Sequence, residues 1–464
     1  MRMTLFAEQT AMLEQATAPE LRGTVAQVRG LALRVIDLPV PIGAMVKIVS
    51  RRSRGADAPG ILGEVVGFDD EQTLVMPLGA TTGIQRGDRV IARHAAQFVR
   101  VGESLLGRVL DGLGRPIDGK GPLGETFRRP LNPRPVEPLD RPRIDQPLAT
   151  GVRAIDAMAS VGRGQRLGIF AAPGVGKSTL LATMARHTAA DISVVGLVGE
   201  RGREVRDFIE TALGEEGLAR SVVVCATSDE PAIVRLRAAS VATAAAEYFR
   251  DQGADVLLMM DSVTRFCQAQ RQVGLAAGEP PATRGYPPSV FATLPTLLER
   301  SGRTRRGSIT GFYTVLVEGD DMDEPVADAC RGILDGHIVL SRKLAEKGHY
   351  PAVDVLRSIS RVAEEVTAPE HRAVCREVVR LLASYDEVEE LLNIGAYAPG
   401  SNPEFDLAIE CKPAIDQLLQ QGRGEVKGRG DFERTKAQLI ALGQQVQQVR
   451  QKLQATGRGG PARR

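Results

Sequence analysis

Tryptophan is missing from the 464 residues, and aromatic residues of all kinds make up only 4% of them. The five cysteines, Cys225, Cys267, Cys330, Cys375 and Cys411, are odd in number, widely scattered and never spaced as CxxC, with few histidines near them. That pattern excludes a disulfide framework and argues against a metal site, so they read as reduced core thiols of a cytosolic protein. No excess charge of either sign is present. Lys and Arg number 59 against 57 Asp and Glu, a formal +2, so the totals demand no nucleic-acid partner. Long apolar runs are absent as well. The start, MRMTLFAEQTAMLEQA, is broken by Glu8 and Glu14 and lacks the continuous core of a secretory signal, and no stretch reaches membrane-spanning length. Such a chain works at a membrane only if something else holds it there.

What is present points to a soluble globular protein of two to four domains, 43% hydrophobic and 25% charged. In segment 1–20, Leu5, Phe6, Met12 and Leu13 share one face of a short helix, which either packs on its own domain or docks on a partner. Residues 21–95 carry short alternating runs (LALRV, VKIV, GEVVGF, DRVIA) between Gly, Pro and Asp turns, the rhythm of a small N-terminal β-barrel. Residues 96–366 include a proline-rich connection, RRPLNPRPVEPLDRPRIDQP, expected to run extended over a surface without a core of its own. Apolar strand candidates (RLGIF, SVVGLV, SVVVCA, DVLLMMD) then alternate with helices, as in an α/β parallel sheet. Over 367–464 strand signals vanish, and Phe432, Leu439, Leu442, Val446, Val449 and Leu453 step by threes and fours in a C-terminal α-helical domain. The final GRGGPARR reads as a frayed tail.

The chemistry starts in RLGIFAAPGVGKSTLLATMA, which sets a strand, a Gly-rich turn and a helix in the order a P-loop needs. Ala172, Pro173, Gly174, Val175, Gly176, Lys177, Ser178 and Thr179 form the predicted nucleotide-binding stretch. Backbone N–H groups around Gly174 to Lys177 can wrap a β-phosphate, Lys177 adds a point charge, and the Ser178 hydroxyl can ligate magnesium. The strict pattern has Gly where this chain has Ala171, which forbids a positive φ there but leaves the cradle intact. Asp261 ends the apolar strand VLLMMD. Alone it could cap the next helix; beside a P-loop it is better assigned as the Walker-B acid, holding magnesium through water. Glu200, in SVVGLVGERGREV, would by itself be a solvated carboxylate paired with Arg201 or Arg203. Its place after a neighbouring strand of a P-loop domain assigns it a catalytic role, polarising water, with Arg201 meeting phosphate charge.

These motifs resemble those of the hexameric ATPase family that contains the catalytic subunit of rotary ATP synthases, and most closely its protein-export branch of flagellar export and type III secretion ATPases. The resemblance runs from about Gly23 to Glu410 through LGRVLDGLGRPIDGKG, TGVRAID, FAAPGVGKST, GERGREV, DEPAIVRLRAA, DSVTRF and the signature-like PAVDVLRSIS. The segments GLAAGEPPATRGYPPSVFATLPTLLERSG and VLVEGDDMDEPVADACRGILDGHIVLSRKLAEKGHYPAVD look like the export branch, in which Ala at 171 is also common. The resemblance implies a RecA-like ATPase domain using ATP and Mg2+. It makes Lys177, Glu200, Arg201 and Arg361 catalytic, the last reaching into a neighbouring subunit's site. Ser178 and Asp261 would hold the metal, and Tyr350 would pack on adenine. It also implies a homohexamer, a dimeric export regulator at the N-terminal segment, a coiled-coil stalk protein at the ring, and export chaperone–substrate complexes. Work would take place in the cytoplasm, at the inner face of the plasma membrane beside a membrane export gate. EKGHYPAVD and GAYAPGSNPEFDLAI look flagellar rather than injectisome-like. A Rho-like RNA translocase and a rotary synthase catalytic subunit remain alternatives. Few aromatics in the barrel region, Phe68 being one, and a near-neutral charge make nucleic acid unexpected. The polar insertion QQGRGEVKGRGDFER in the C-terminal domain has no counterpart in this pattern.

Overall fold

A computed structural model describes residues 20–53, 59–317, 319, 321–422, 424–425 and 428–455. The expectations for the N-terminal amphipathic helix and for the frayed tail lie outside the described residues. The chain divides into two compact units, one running to Gln97 and including Val273–Glu279, the other comprising Phe98–Gln272 and the chain from Pro280 onward.

In the first unit, six strands close into a barrel: β1 (Arg22–Arg29), β2 (Ala32–Ile36), β3 (Met45–Val49), β4 (Gly60–Asp69), β5 (Gln72–Pro77) and β6 (Arg89–His94). Their order is β1-β2-β5-β4-β3-β6. Period-two alternation carries Val25, Leu33, Val35, Val46, Ile48 and Val75 into one aliphatic core. Phe68 stays on the outside, 53% exposed.

The second unit is built on a nine-stranded sheet. Its strands are β7 (Arg108–Asp111), β8 (Arg166–Ala171), β9 (Ile192–Glu200), β10 (Ser221–Thr227), β11 (Asp255–Asp261), β12 (Ser308–Leu316), β13 (Gly336–Leu340) and β14 (Val353–Ser360), with the short Gly302–Arg303 paired to β12. Their order is β14-β13-β8-β12-β11-β9-β10-β7, parallel throughout except that β14 runs antiparallel to β13. Strands covered on both faces need apolar residues on both, which is why β8 and β11 read as unbroken hydrophobic runs and are buried almost end to end.

The proline-rich connection is more ordered than expected. Phe127–Pro130 pairs antiparallel with Phe98–Val101, and Leu131 is buried. Arg141 donates to the carbonyls of Glu299 and Ser301, at 2.6 and 2.9 Å, and ties the rest to the surface. Among the helices are α1 (Arg153–Met158), α2 (Lys177–His187), α3 (Val263–Ala276) and, packed in a group with its neighbours, α4 (Pro369–Asn393). The others in that group are α5 (Pro403–Leu419) and α6 (Phe432–Ala455). On α6 the apolar stripe turns inward as its spacing dictates, with Leu439, Leu442 and Val446 buried and Val449 and Leu453 packed against them. Phe432 stacks flat on the His371 ring of α4, centroids 5.8 Å apart. All five cysteines are free thiols, four of them buried. No helix among the described residues is long and apolar enough to cross a membrane.

Candidate active site

Parallel strands deliver their C-terminal ends to one edge of the sheet, and the three site motifs sit there because each follows such a strand. Ala171 is the last residue of β8, in register with Leu316 and Leu340 and fully buried. It needs no positive φ, so the missing glycine has no structural cost in this chain. The turn begins after it. Gly174 and Gly176 hold φ of 84° and 93°, a region that L side chains rarely adopt. α2 starts at Lys177 with Gly176 as its cap, leaving its first N–H groups directed at the loop, as anion binding requires. Ser178 is exposed at the same end.

Asp261 does not stand on a strand beside the P-loop strand; β12 lies between β8 and β11. The Lys177 side chain spans that gap. Its Nζ donates to Asp261 Oδ1 and lies 3.8 Å from Glu200 Oε1. Thr314 of β12 also donates to Asp261 Oδ1, at 2.7 Å. Neither donor takes Oδ2. Glu200 reaches the cluster through a bulge: the pairing of β9 with β10 shifts register between Val198 and Glu200, where Gly199 has φ 75°. A Cβ at Gly199 would lie 2.9 Å from the Arg265 side chain, so the position also demands a close approach.

Glu200 Oε1 is buried without a hydrogen-bond partner. Burial lifts its carboxyl, the Asp261 charge lifts it further, Lys177 opposes, and Glu204 adds to the rise, leaving it pushed up to about 7. A carboxyl in that range, with an unsatisfied oxygen beside a cation, is suited to take a hydrogen bond or a proton from water at neutral pH. Two oxygen ligands, the Ser178 hydroxyl and the Asp261 carboxylate, are the donor type a hard divalent cation takes.

Tyr350 closes the other side. Its ring lies 3.5 Å from where a Gly176 Cβ would be, and the phenol is 47% exposed. A pocket of about 410 Å³ opens there, bordered by Gly174, Gly176, Thr179, Tyr350, Gln421 and Gly422, large enough for a nucleoside. Gln421 is a wall residue that sequence reasoning missed, although the polar insertion containing it was conspicuous. Its backbone N–H donates to the Tyr350 carbonyl at 2.9 Å, its Nε2 to the Gly151 carbonyl at 2.9 Å, and its Oε1 accepts from Arg153 N at 2.7 Å. Thr314 was missed too; nothing in its sequence neighbourhood marks it.

The two arginines are not brought to this cluster. Arg201 points outward, its side chain 80% exposed and 3.6 Å from Glu204. Arg361, just past β14, is exposed, with Nη2 3.2 Å from the Arg331 carbonyl.

Comparison with known proteins finds family matches over most of the chain. Models of the ATP synthase alpha/beta family match residues 25–93 as its beta-barrel domain and 151–360 as its nucleotide-binding domain. Residues 367–441 match the T3SS EscN ATPase C-terminal domain. The flagellum-specific ATP synthase of Pseudomonas aeruginosa is 49% identical over 92% of this chain and 94% of its own. The type 3 secretion system ATPase of Xanthomonas euvesicatoria is 51% identical over 86% of this chain and 89% of its own. Among solved structures, the assembled ATPase EscN of the enteropathogenic E. coli type III secretion system superposes with TM-score 0.83 at 43% identity, covering 90% of this chain and 99% of that one. The same ATPase in complex with its central stalk EscO gives TM-score 0.82.

Proposed function

Because this chain belongs to the ATP synthase alpha/beta family, among its flagellum-specific and type III secretion members, we propose that it is a flagellum-specific protein-export ATPase that hydrolyses ATP between the subunits of a homohexamer. The observation that carries the proposal is the Lys177, Glu200 and Asp261 cluster at the mouth of the P-loop, with Glu200 held near neutrality. ATP binds with its phosphates on the N–H groups of Gly174 to Lys177 and its adenine against Tyr350. Lys177 leaves its carboxylates for phosphate, and Glu200 orients the attacking water and accepts its proton. Ser178 and Asp261 would hold magnesium, which would neutralise charge on the phosphates.

Arg361 has no partner role in its own site, and its exposure at the sheet edge suits a residue that works on the next subunit's phosphates. Arg201 would be drawn in from solvent. Loss of an arginine acting in trans typically costs ~10³ to 10⁵ in rate. ATPase activity per chain should therefore rise with protein concentration. Glu200→Gln and Arg361→Ala should each be nearly inactive, and mixing them should restore part of the activity at interfaces that combine an intact Glu200 with an intact Arg361. Co-assembled mixtures that stay inactive would refute the shared site.

The remaining assignments follow the same reading. The N-terminal segment would bind a dimeric regulator and the ring a coiled-coil stalk protein. Chaperone–substrate complexes would be received in the cytoplasm at the inner face of the plasma membrane, beside the export gate. EKGHYPAVD and GAYAPGSNPEFDLAI favour the flagellar system, while the match of the C-terminal domain to that of EscN keeps an injectisome role as the second reading. Deleting the gene and scoring swimming, hook-protein export and effector delivery in one strain separates the two. RNA should leave the ATPase rate unchanged.

A further inference from the structure

We infer that Thr314 is a positioning residue, whose hydroxyl fixes the Asp261 carboxylate for the magnesium–nucleotide complex. This deepens the ATPase reading and rests on it. Thr314 stands on β12, the strand between those carrying the P-loop and Asp261, in register with Ile169 on one side and one residue along from the Met260–Tyr313 pair on the other. It is fully buried, among strand neighbours Phe312, Tyr313 and Val315 that are also fully buried. Valine would fill the same space without bringing a polar group into the core, so a threonine here needs a partner for its proton. Two oxygens are within reach: Met260 O at 3.3 Å and Asp261 Oδ1 at 2.7 Å. One proton makes one strong bond, and the shorter, charge-assisted one goes to the carboxylate.

Lys177 donates to the same Oδ1. The two donors differ in what they are free to do. Lys177 sits on a flexible stem, and in the ATPase reading it moves to phosphate, taking its hydrogen bond away. Thr314 cannot move: its strand is paired on both sides, and two residues on, the Leu316 N–H donates to Thr264 Oγ1 of α3 at 2.8 Å, pinning the end of β12 to the helix that follows Asp261. Oδ1 therefore keeps one donor throughout, rotation of the carboxylate is restricted, and Oδ2 keeps one direction. Groups that orient a metal-side carboxylate from behind commonly matter ~10-fold or more in metal affinity.

The test is nucleotide binding rather than turnover alone. A fluorescent ADP analogue is titrated against wild type, Thr314→Val and Thr314→Ser, at graded free magnesium and in EDTA. Thr314→Val should need ~10-fold more magnesium to reach half its tight-binding signal, with affinity in EDTA unchanged and kcat reduced; Thr314→Ser should behave as wild type. If the valine variant does not fold, Thr314→Ala takes its place under the same comparison. Wild-type magnesium dependence in the hydroxyl-free variant, or equal weakening with and without magnesium, would show the threonine to be only a core residue and overturn the inference. Wild-type protein whose nucleotide binding ignores magnesium would instead overturn the ATPase reading beneath it.

Discussion

Glu200→Gln should stabilise the protein while silencing it, and the size of the gain should depend on pH. In the folded chain the Glu200 carboxyl is pushed from its ordinary 4.5 to about 7, because burial and the Asp261 charge together outweigh Lys177. A raised carboxyl means that the native state holds the proton more tightly than the unfolded chain. The group's favourable contribution is complete below pH about 4.5, is lost as pH rises toward 7, and is flat above. At about 1.4 kcal/mol per pH unit, the full span is worth about 3 kcal/mol, an upper bound because the carboxyl is not wholly shielded from solvent. Glutamine keeps the shape and removes the charge. Urea denaturation in EDTA without nucleotide should therefore show the variant more stable than wild type by about 1 to 3 kcal/mol at pH 8, shrinking to under about 1 kcal/mol at pH 5. The same variant should bind ATP and hydrolyse almost none. Wild-type hydrolysis should fall as pH drops through 7, since only the carboxylate can accept a proton. An equal stability difference at both pH values would mean that Glu200 does not carry its charge in a desolvated site, and the assignment of its role would fall with it.

Gly176→Ala places a Cβ at φ 93°, 3.5 Å from the Tyr350 ring. It should cost about 1 to 2 kcal/mol of stability and at least ~10-fold in nucleotide affinity, read by thermal unfolding and equilibrium binding. Arg108→Ala should be among the most damaging changes away from the site. Arg108 grips both oxygens of Asp118 at 2.8 and 2.9 Å and the Gly121 carbonyl at 2.6 Å, with both side chains nearly buried. Removing it leaves that carboxylate only the Val109 and Lys120 N–H donors, both at 3.0 Å, at a cost of about 3 kcal/mol by urea denaturation. The Arg108 guanidinium holds Asp118 far below the usual carboxylate range, so the stability that pair supplies is present at neutral pH and is lost as pH falls below the ordinary carboxylate value.

How much of this was legible in the sequence depends on how local each feature is. Barrel strands announce themselves by alternation and the parallel strands by unbroken apolar runs, both consequences of which faces are covered. The phosphate loop is contiguous, so AAPGVGKST carries its own geometry. The positions of Asp261 and Glu200 at the strand ends are legible because an acid after a buried strand must lie at the ligand edge of such a sheet. Strand order is not local. Nothing near Thr314 says that β12 slips between β8 and β11, and without that its hydroxyl has no visible purpose. Gln421 reaches Gly151 across 270 positions, a contact no spacing rule can express. Arg201 shows the opposite limit: adjacency to Glu200 suggested a shared site, but Glu200 ends its strand and Arg201 turns away into the start of the next helix.

In the proposed mechanism, the charge count at the cluster leaves a single chain short of positive charge. Glu200 and Asp261 share a single lysine, and Lys177 already satisfies one of them and moderates the other. A triphosphate arriving at the loop adds several negative charges and competes for that same lysine. If Lys177 goes to phosphate with nothing in exchange, Glu200 sits beside Asp261 and phosphate without a cation; its proton is then held still more tightly, and it fails as a base at neutral pH. The site recovers a working carboxylate only if positive charge enters from elsewhere. A divalent cation on the Asp261 side meets part of the need. The rest falls to a guanidinium, and the two candidates, Arg201 and Arg361, both face outward in the isolated chain. On the proposed shared site, assembly would be more than a way of packing subunits: a neighbour's Arg361 at the phosphates would let Lys177 leave without disabling Glu200, and would tie the base's ionisation to an occupied, closed interface.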